Sequence, residues 1–159
     1  MTGKNVIRDL RTCELFHTLS DAEMQSLAGL LAEGVQVESY AAGDHVFDQG
    51  ELSSKLFVIA SGQVVLQRTV NMGGKTGTLP LGILGRGRAM GWSALLYGPR
   101  YCTASAICQK PSEIVAIEGA RLREVLEQRP RMGFKVMDRL ASMLGERLKA
   151  AYSTMDAHL

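Results

Sequence analysis

Cysteine is scarce in this chain: Cys13, Cys102 and Cys108 are the only three in 159 residues. An odd number without ligand-like spacing suits neither a disulfide framework nor a zinc site, so reduced thiols are expected. Histidine is as sparse, and His17, His45 and His158 stand apart in the sequence. None has the clustered histidine and carboxylate companions that a catalytic metal needs, and no metal is expected. Long apolar runs are missing too, since none approaches the roughly 20 residues that cross a bilayer. The opening Met1-Thr2-Gly3-Lys4-Asn5 has neither the apolar stretch nor the cleavage pattern of a secretory signal. These absences predict a cytoplasmic protein without membrane contact. An excess of either charge is also lacking: 18 Lys and Arg oppose 16 Asp and Glu, for a net charge of +2. That leaves no strong electrostatic footprint for nucleic acid. Finally, no nucleophile, base and orienting group can be assembled, because Ser93 has no evident histidine base. Neither an enzyme nor a resident cofactor is expected.

What the chain does have is apolar content, 46% of its residues, enough for one domain with a sizeable core. Ser20-Asp21-Ala22-Glu23 is a capping box, in which Ser20 and Glu23 satisfy each other's backbone donors at a helix start. Met24, Leu27, Leu30 and Leu31 supply the apolar stripe of that helix. From Gly34 to about Ile117 the pattern becomes short segments rich in Val, Ile, Leu and Phe. Gly43, Gly50, Gly62, Gly73-Gly74, Gly85 and Gly98 interrupt them, as in an antiparallel roll. Val35 and Val37 alternate with polar residues, whereas Leu56 to Ala60 is a continuous apolar run suited to a central strand. Asn71 to Gly77 reads as a hairpin tip, and its single lysine among glycines is too short a pattern for a Walker loop.

After Gly119 the period turns helical. Leu122, Val125 and Leu126 mark a short helix ending near Pro130, and a longer one follows. Along it Met137, Leu140, Leu144, Ala151 and Met155 recur at steps of three and four, with Val136, Met143 and Leu148 widening the stripe. Such a seam predicts a homodimer through this helix. Arg147 interrupts it, and Gly133 and Gly145 weaken its helicity. The basic residues of the last third are interspersed with Glu124, Glu127, Asp138 and Glu146, which reads as a solvated face.

The segment Gly91-Trp92-Ser93-Ala94-Leu95-Leu96, followed by Gly98-Pro99-Arg100, reads as a short helix opening on glycine with a cation just beyond it. Unpaired N–H groups at such a helix start can hold an anion that an arginine closes over. The expected site is therefore the backbone N–H groups of Gly91 to Ala94 with the Arg100 side chain. Thr103 adds a hydroxyl, and Trp92 and Tyr101 shape specificity.

Three further segments carry a family likeness: Tyr40-Ala41-Ala42-Gly43-Asp44, Val46-Phe47-Asp48-Gln49-Gly50-Glu51, and Leu56 through Val64. In order and spacing they resemble the cyclic nucleotide-binding domain family, over about Leu15 to Met155. The resemblance implies an α+β, mainly β fold: an antiparallel β-roll (double-stranded β-helix or jelly roll) with an N-terminal helix, a short cassette helix and two C-terminal helices. It implies one domain over 1–159, with the roll at about 34–118 and the C-terminal helices at about 119–157. Arg100 aligns with the family's phosphate arginine.

Where the family usually has a glutamate for the ribose 2′-hydroxyl, this chain has Trp92. Losing a buried charge-assisted hydrogen bond costs about 1.5–3 kcal/mol, roughly ten- to a hundred-fold in affinity. Three roles stay open for Trp92: filling an emptied pocket, stacking on a planar ligand, or packing within the roll. The implied function is a regulatory or sensor module that binds a small anionic ligand, with cyclic AMP or cyclic GMP as candidates, and signals through its C-terminal helix. The alternative is a ligand-free dimerisation or protein-interaction module with a plugged pocket. The family's transcription factors continue into a helix-turn-helix after the long helix. This sequence stops at Leu159, so direct DNA binding is not expected and the partner would be a second copy or another protein.

Overall fold

The computed structural model describes residues 3–158. Eight strands build the roll: β1 Val35–Tyr40, β2 His45–Phe47, β3 Lys55–Ser61, β4 Val64–Met72, β5 Lys75–Leu84, β6 Ala89–Met90, β7 Ser105–Cys108 and β8 Ser112–Glu118. They pair antiparallel in two four-stranded sheets, ordered β1-β8-β3-β6 and β2-β7-β4-β5. This is the expected mix of helix and antiparallel roll. The β4–β5 hairpin closes through Gly73 and Gly74, both at positive φ, between the paired Met72 and Lys75. A two-residue turn of that hand matches the twist of the strands, and only glycine adopts it twice without strain.

Strands β3 and β8 lie between two apolar layers, which explains the uninterrupted run at Leu56 to Ala60. Leu56, Val58, Val115 and Ile117 join the cluster beneath the helices, while Phe57, Ile59, Ile114 and Ala116 fill the interior of the roll. Side chains alternate across a strand, so a strand covered on both faces needs apolar residues at every position.

Four helices flank the roll: α1 Gly3–Arg11, α2 Asp21–Leu31, α3 Gly119–Gln128 and α4 Pro130–His158. The capping box forms as predicted, Glu23 N–H donating to Ser20 Oγ at 3.1 Å and Ser20 N–H to Glu23 Oε1 at 2.9 Å. Helix α1 is an addition to the one N-terminal helix expected. A helix of nine residues makes a weak local signal. It is anchored by burial of Leu10 and of Cys13, Leu15 and Phe16 just after it. The cassette helix is short and of the 3₁₀ type, Trp92–Leu95, entered through Gly91 at φ 76°.

The long apolar stripe of α4 divides between three surroundings. Met132, Val136, Leu140 and Met143 are buried within the chain, so Val136, Leu140 and Met143 are not free for a second copy. Phe134, Met137, Leu148, Tyr152 and Met155 stay exposed. Leu144 and Ala151 turn towards the roll, with Arg147 between them. Pro130 sits at the first position of α4, where its missing N–H costs nothing. Gly133 lets α4 approach α3 closely, because a Cβ there would lie 2.6 Å from the Leu126 carbonyl oxygen.

Candidate functional site

A cavity of about 340 Å³ lies between the roll and α4. Phe47, Leu66, Leu81 and Met90 form its floor, Gly91, Trp92 and Ser93 of the cassette one wall, and Cys102, Thr103 and Ala104 another. Leu144, Arg147, Leu148 and Ala151 of α4 close it from above. Its volume falls within the range of about 300–1,000 Å³ usual for small-molecule sites.

The predicted site residues separate here. Gly91, Trp92, Ser93 and Thr103 line the cavity. Ala94 turns away from it, borders a second cavity beside α3, and donates its N–H to the Gly91 carbonyl at 3.1 Å. Arg100 does not reach the cavity: it is exposed, and its Nε donates to the Tyr97 carbonyl at 2.9 Å. Tyr101 is 60% exposed and also lies outside the lining. The backbone explains both departures. Ser53 N–H donates to the Arg100 carbonyl and Cys102 N–H to the Glu51 carbonyl, each at 2.8 Å, while Tyr101 forms a bridge with Leu52. This lacing holds the segment against the loop between β2 and β3, turning Arg100 outward and burying Cys102 against the cavity.

Trp92 lines the cavity without filling it, half-buried and packed against the helical core cluster. Among the described residues its indole N–H has no hydrogen-bond partner. Among the described residues no carboxylate lines the cavity. A ribose hydroxyl placed there would find no charged acceptor, which removes about 1.5–3 kcal/mol of interaction relative to a glutamate-bearing site.

The cation that does line the cavity is Arg147, whose side chain is 17% exposed. Its Nη2 donates to Glu14 Oε2 at 3.3 Å and to the Ala89 carbonyl oxygen. Its Nε is buried without a partner. The same Glu14 oxygen accepts from Arg88 Nε at 3.1 Å and from Ala89 N–H at 2.7 Å. Two guanidinium groups thus share one carboxylate. Burial pulls the Arg147 guanidinium below the usual arginine value, and the Glu14 charge opposes that shift. Position 147 carried one sequence signal, an arginine breaking an apolar helical face, but nothing in the sequence placed it beside residues some fifty positions earlier.

The cassette is tied on its other side to α3. Arg123 lies 3.4 Å above the centre of the Tyr97 ring and donates from Nη1 to the Leu95 carbonyl at 2.7 Å, and the Tyr97 hydroxyl bonds Glu127. The backbone of Ala94 packs directly on Gly119 at the start of α3. All three cysteines are buried and unpaired, and burial pushes the Cys13 thiol up to about 12. Among the described residues there is no group of three His, Cys, Asp or Glu that could hold a metal ion, and no helix long and apolar enough to cross a membrane.

An antiparallel roll with a glycine-entered cassette turn and a long helix across its mouth defines a class of ligand-binding modules. The model of the cyclic nucleotide-binding domain family matches residues 37–129, and the chain belongs to that family. It is 34% identical over 143 residues to the cyclic AMP receptor protein of Thermus thermophilus, covering 89% of this chain and 60% of that protein. The chain therefore spans about three fifths of that relative's length. Among solved structures, the N-terminal domain of a transcriptional regulator from Streptomyces coelicolor A3(2) superposes with a TM-score of 0.64 at 28% identity, covering 86% of this chain and 92% of that one. A cyclic nucleotide-binding domain from Methylobacillus flagellatus gives a TM-score of 0.78 over 99% of this chain and 84% of its own, at 19% identity, a likeness of fold.

Proposed function

We propose that this chain is a ligand-sensing regulatory module, in which a small anion occupies the cavity beneath α4 and changes how that helix is seated. One observation carries the reading: the cassette residues Gly91, Trp92 and Ser93 and the helix residues Leu144, Arg147 and Leu148 line the same cavity. A ligand touching both must favour one position of α4 over others, which is the requirement for coupling binding to output. The output is association through α4. Its exposed Phe134, Met137, Leu148, Tyr152 and Met155 form an apolar stripe of the kind a second copy covers. Cyclic AMP, which the Thermus relative's name carries, and cyclic GMP are the first ligands to test.

Thermal unfolding of the purified protein, freed of bound nucleotide, is measured with each titrated to millimolar concentration. A ligand at a hundred times its dissociation constant adds about 2.7 kcal/mol. For a domain of this size that raises the midpoint by roughly 5–10 °C. A saturable rise, abolished by filling the cavity with Thr103→Trp, is the expected result for a cyclic nucleotide receptor. No rise with either nucleotide retires both as ligands of this site.

A further inference from the structure

We infer that the cavity is built for an amphiphilic carboxylate, an apolar body bearing one anionic head, and that Arg147 of α4 receives the head. The inference rests on the sensing role proposed above and names the ligand class. The cavity wall is mostly carbon: Phe47, Leu66, Leu81, Met90 and Trp92 face it from the roll. Its polar groups are few, the hydroxyls of Ser93 and Thr103 and the Arg147 guanidinium. Such a lining accepts an apolar body and offers little to a ligand rich in hydroxyls.

The charge sits at one end and is incompletely answered. Arg147 has five N–H donors. Nη2 makes both of its hydrogen bonds, to Glu14 and Ala89, while Nε and Nη1 have no partner among the described residues. Glu14 is already divided between Arg88, Arg147 and the Ala89 N–H. Glu146 adds a favourable charge near Arg147 but no hydrogen bond, so a half-divided Glu14 is the one carboxylate bonded to a guanidinium that burial makes costly to leave underpaired. A carboxylate entering the cavity supplies that counter-charge, and Glu14 serves as the internal stand-in when the cavity is empty. Because the receiving arginine belongs to α4 and not to the roll, the head of the ligand acts directly on the helix that presents the exposed apolar stripe.

Trp92 is the sole tryptophan and lines the cavity, so its fluorescence reports occupancy without a label. The full chain is titrated with decanoate, with decan-1-ol as the neutral counterpart, and with cyclic AMP. The expected result is a saturable change with decanoate and at least roughly ten-fold weaker binding of the alcohol, the worth of one charge-assisted contact. Arg147→Met should bring decanoate down to the level of the alcohol, while Arg147→Lys keeps part of the preference. Should Arg147→Met fail to fold by circular dichroism, Ala151→Phe, which narrows the cavity from the helix side, should weaken both chain ligands together. Equal binding of decanoate and decan-1-ol by the unaltered protein overturns the inference. Saturation by cyclic AMP with no response to decanoate also overturns it and leaves the sensing role standing. Failure of all three removes both.

Discussion

Replacing Gly119 with alanine sets two effects against each other, and their sizes decide the outcome. Gly119 opens α3, and glycine to alanine within a helix is worth up to about 1 kcal/mol in favour of alanine. Against this, a Cβ at 119 would lie 2.2 Å from the Ala94 carbonyl oxygen and 2.7 Å from its carbon, inside any real contact distance. Both atoms are backbone of the cassette turn and cannot swing aside as a flexible side chain would. Nor can α3 retreat freely, since the Gly119 N–H is bonded to the Ser54 carbonyl at 2.9 Å. Forcing a methyl into such a site costs about 1–3 kcal/mol. At the helix's first residue the propensity gain is small, so Gly119→Ala should lose roughly 1–3 kcal/mol, or about 2–12 °C at the midpoint. Gly29 is the control: it lies on the exposed face of α2 with nothing within 4 Å of its would-be Cβ, and Gly29→Ala should gain about 0.5–1 kcal/mol. Urea unfolding followed by circular dichroism measures both. A Gly119→Ala protein as stable as the parent, or a Gly29→Ala protein less stable, would refute the reasoning that packing outranks propensity at the junction of cassette and α3.

Gly133→Ala should follow Gly119→Ala in sign, because its Cβ would meet the Leu126 carbonyl oxygen at 2.6 Å; the same unfolding assay checks it. Glu23 predicts an acid-sensitive contribution. Its hydrogen bond to Lys135 Nζ at 2.7 Å, helped by the Ser20 N–H, lowers its carboxyl from 4.5 to about 2. A carboxyl with a depressed folded value stabilises fully above its unfolded value and loses that stability as pH falls from about 4.5 towards 2. The midpoint difference between the parent and Glu23→Gln should therefore shrink over that window; a constant difference would count against the ion pair as its source. For the α4 stripe, the double variant Phe134→Glu, Tyr152→Glu should sediment as a monomer where the parent sediments as a dimer. Identical sedimentation of the two would remove this face as the association surface.

The roll and its order of segments were legible in the sequence because they rest on local physics. Glycines at Gly43, Gly50, Gly62 and Gly73-Gly74 adopt positive φ that other residues resist, and apolar runs between them leave little choice of face. The capping box at Ser20 and Glu23 was legible for the same reason, since all its partners lie within four residues. Gly91, Trp92, Ser93 and Thr103 line one cavity because the cassette turn and the segment before β7 meet at the same end of that roll. Helix α1 was not, because it depends on distant burial of Leu10 and not on its own propensity. Two assignments were decided only by tertiary structure. Arg100, three residues from the carbonyl it caps, was turned outward by backbone bonds to Glu51 and Ser53 that sequence spacing does not encode. Arg147 was drawn into the cavity because α4 folds back over the roll and sets it beside Glu14, 133 positions earlier. Turns and strand faces are fixed by neighbours along the chain. Which cation meets a cavity is fixed by how a long helix packs across it.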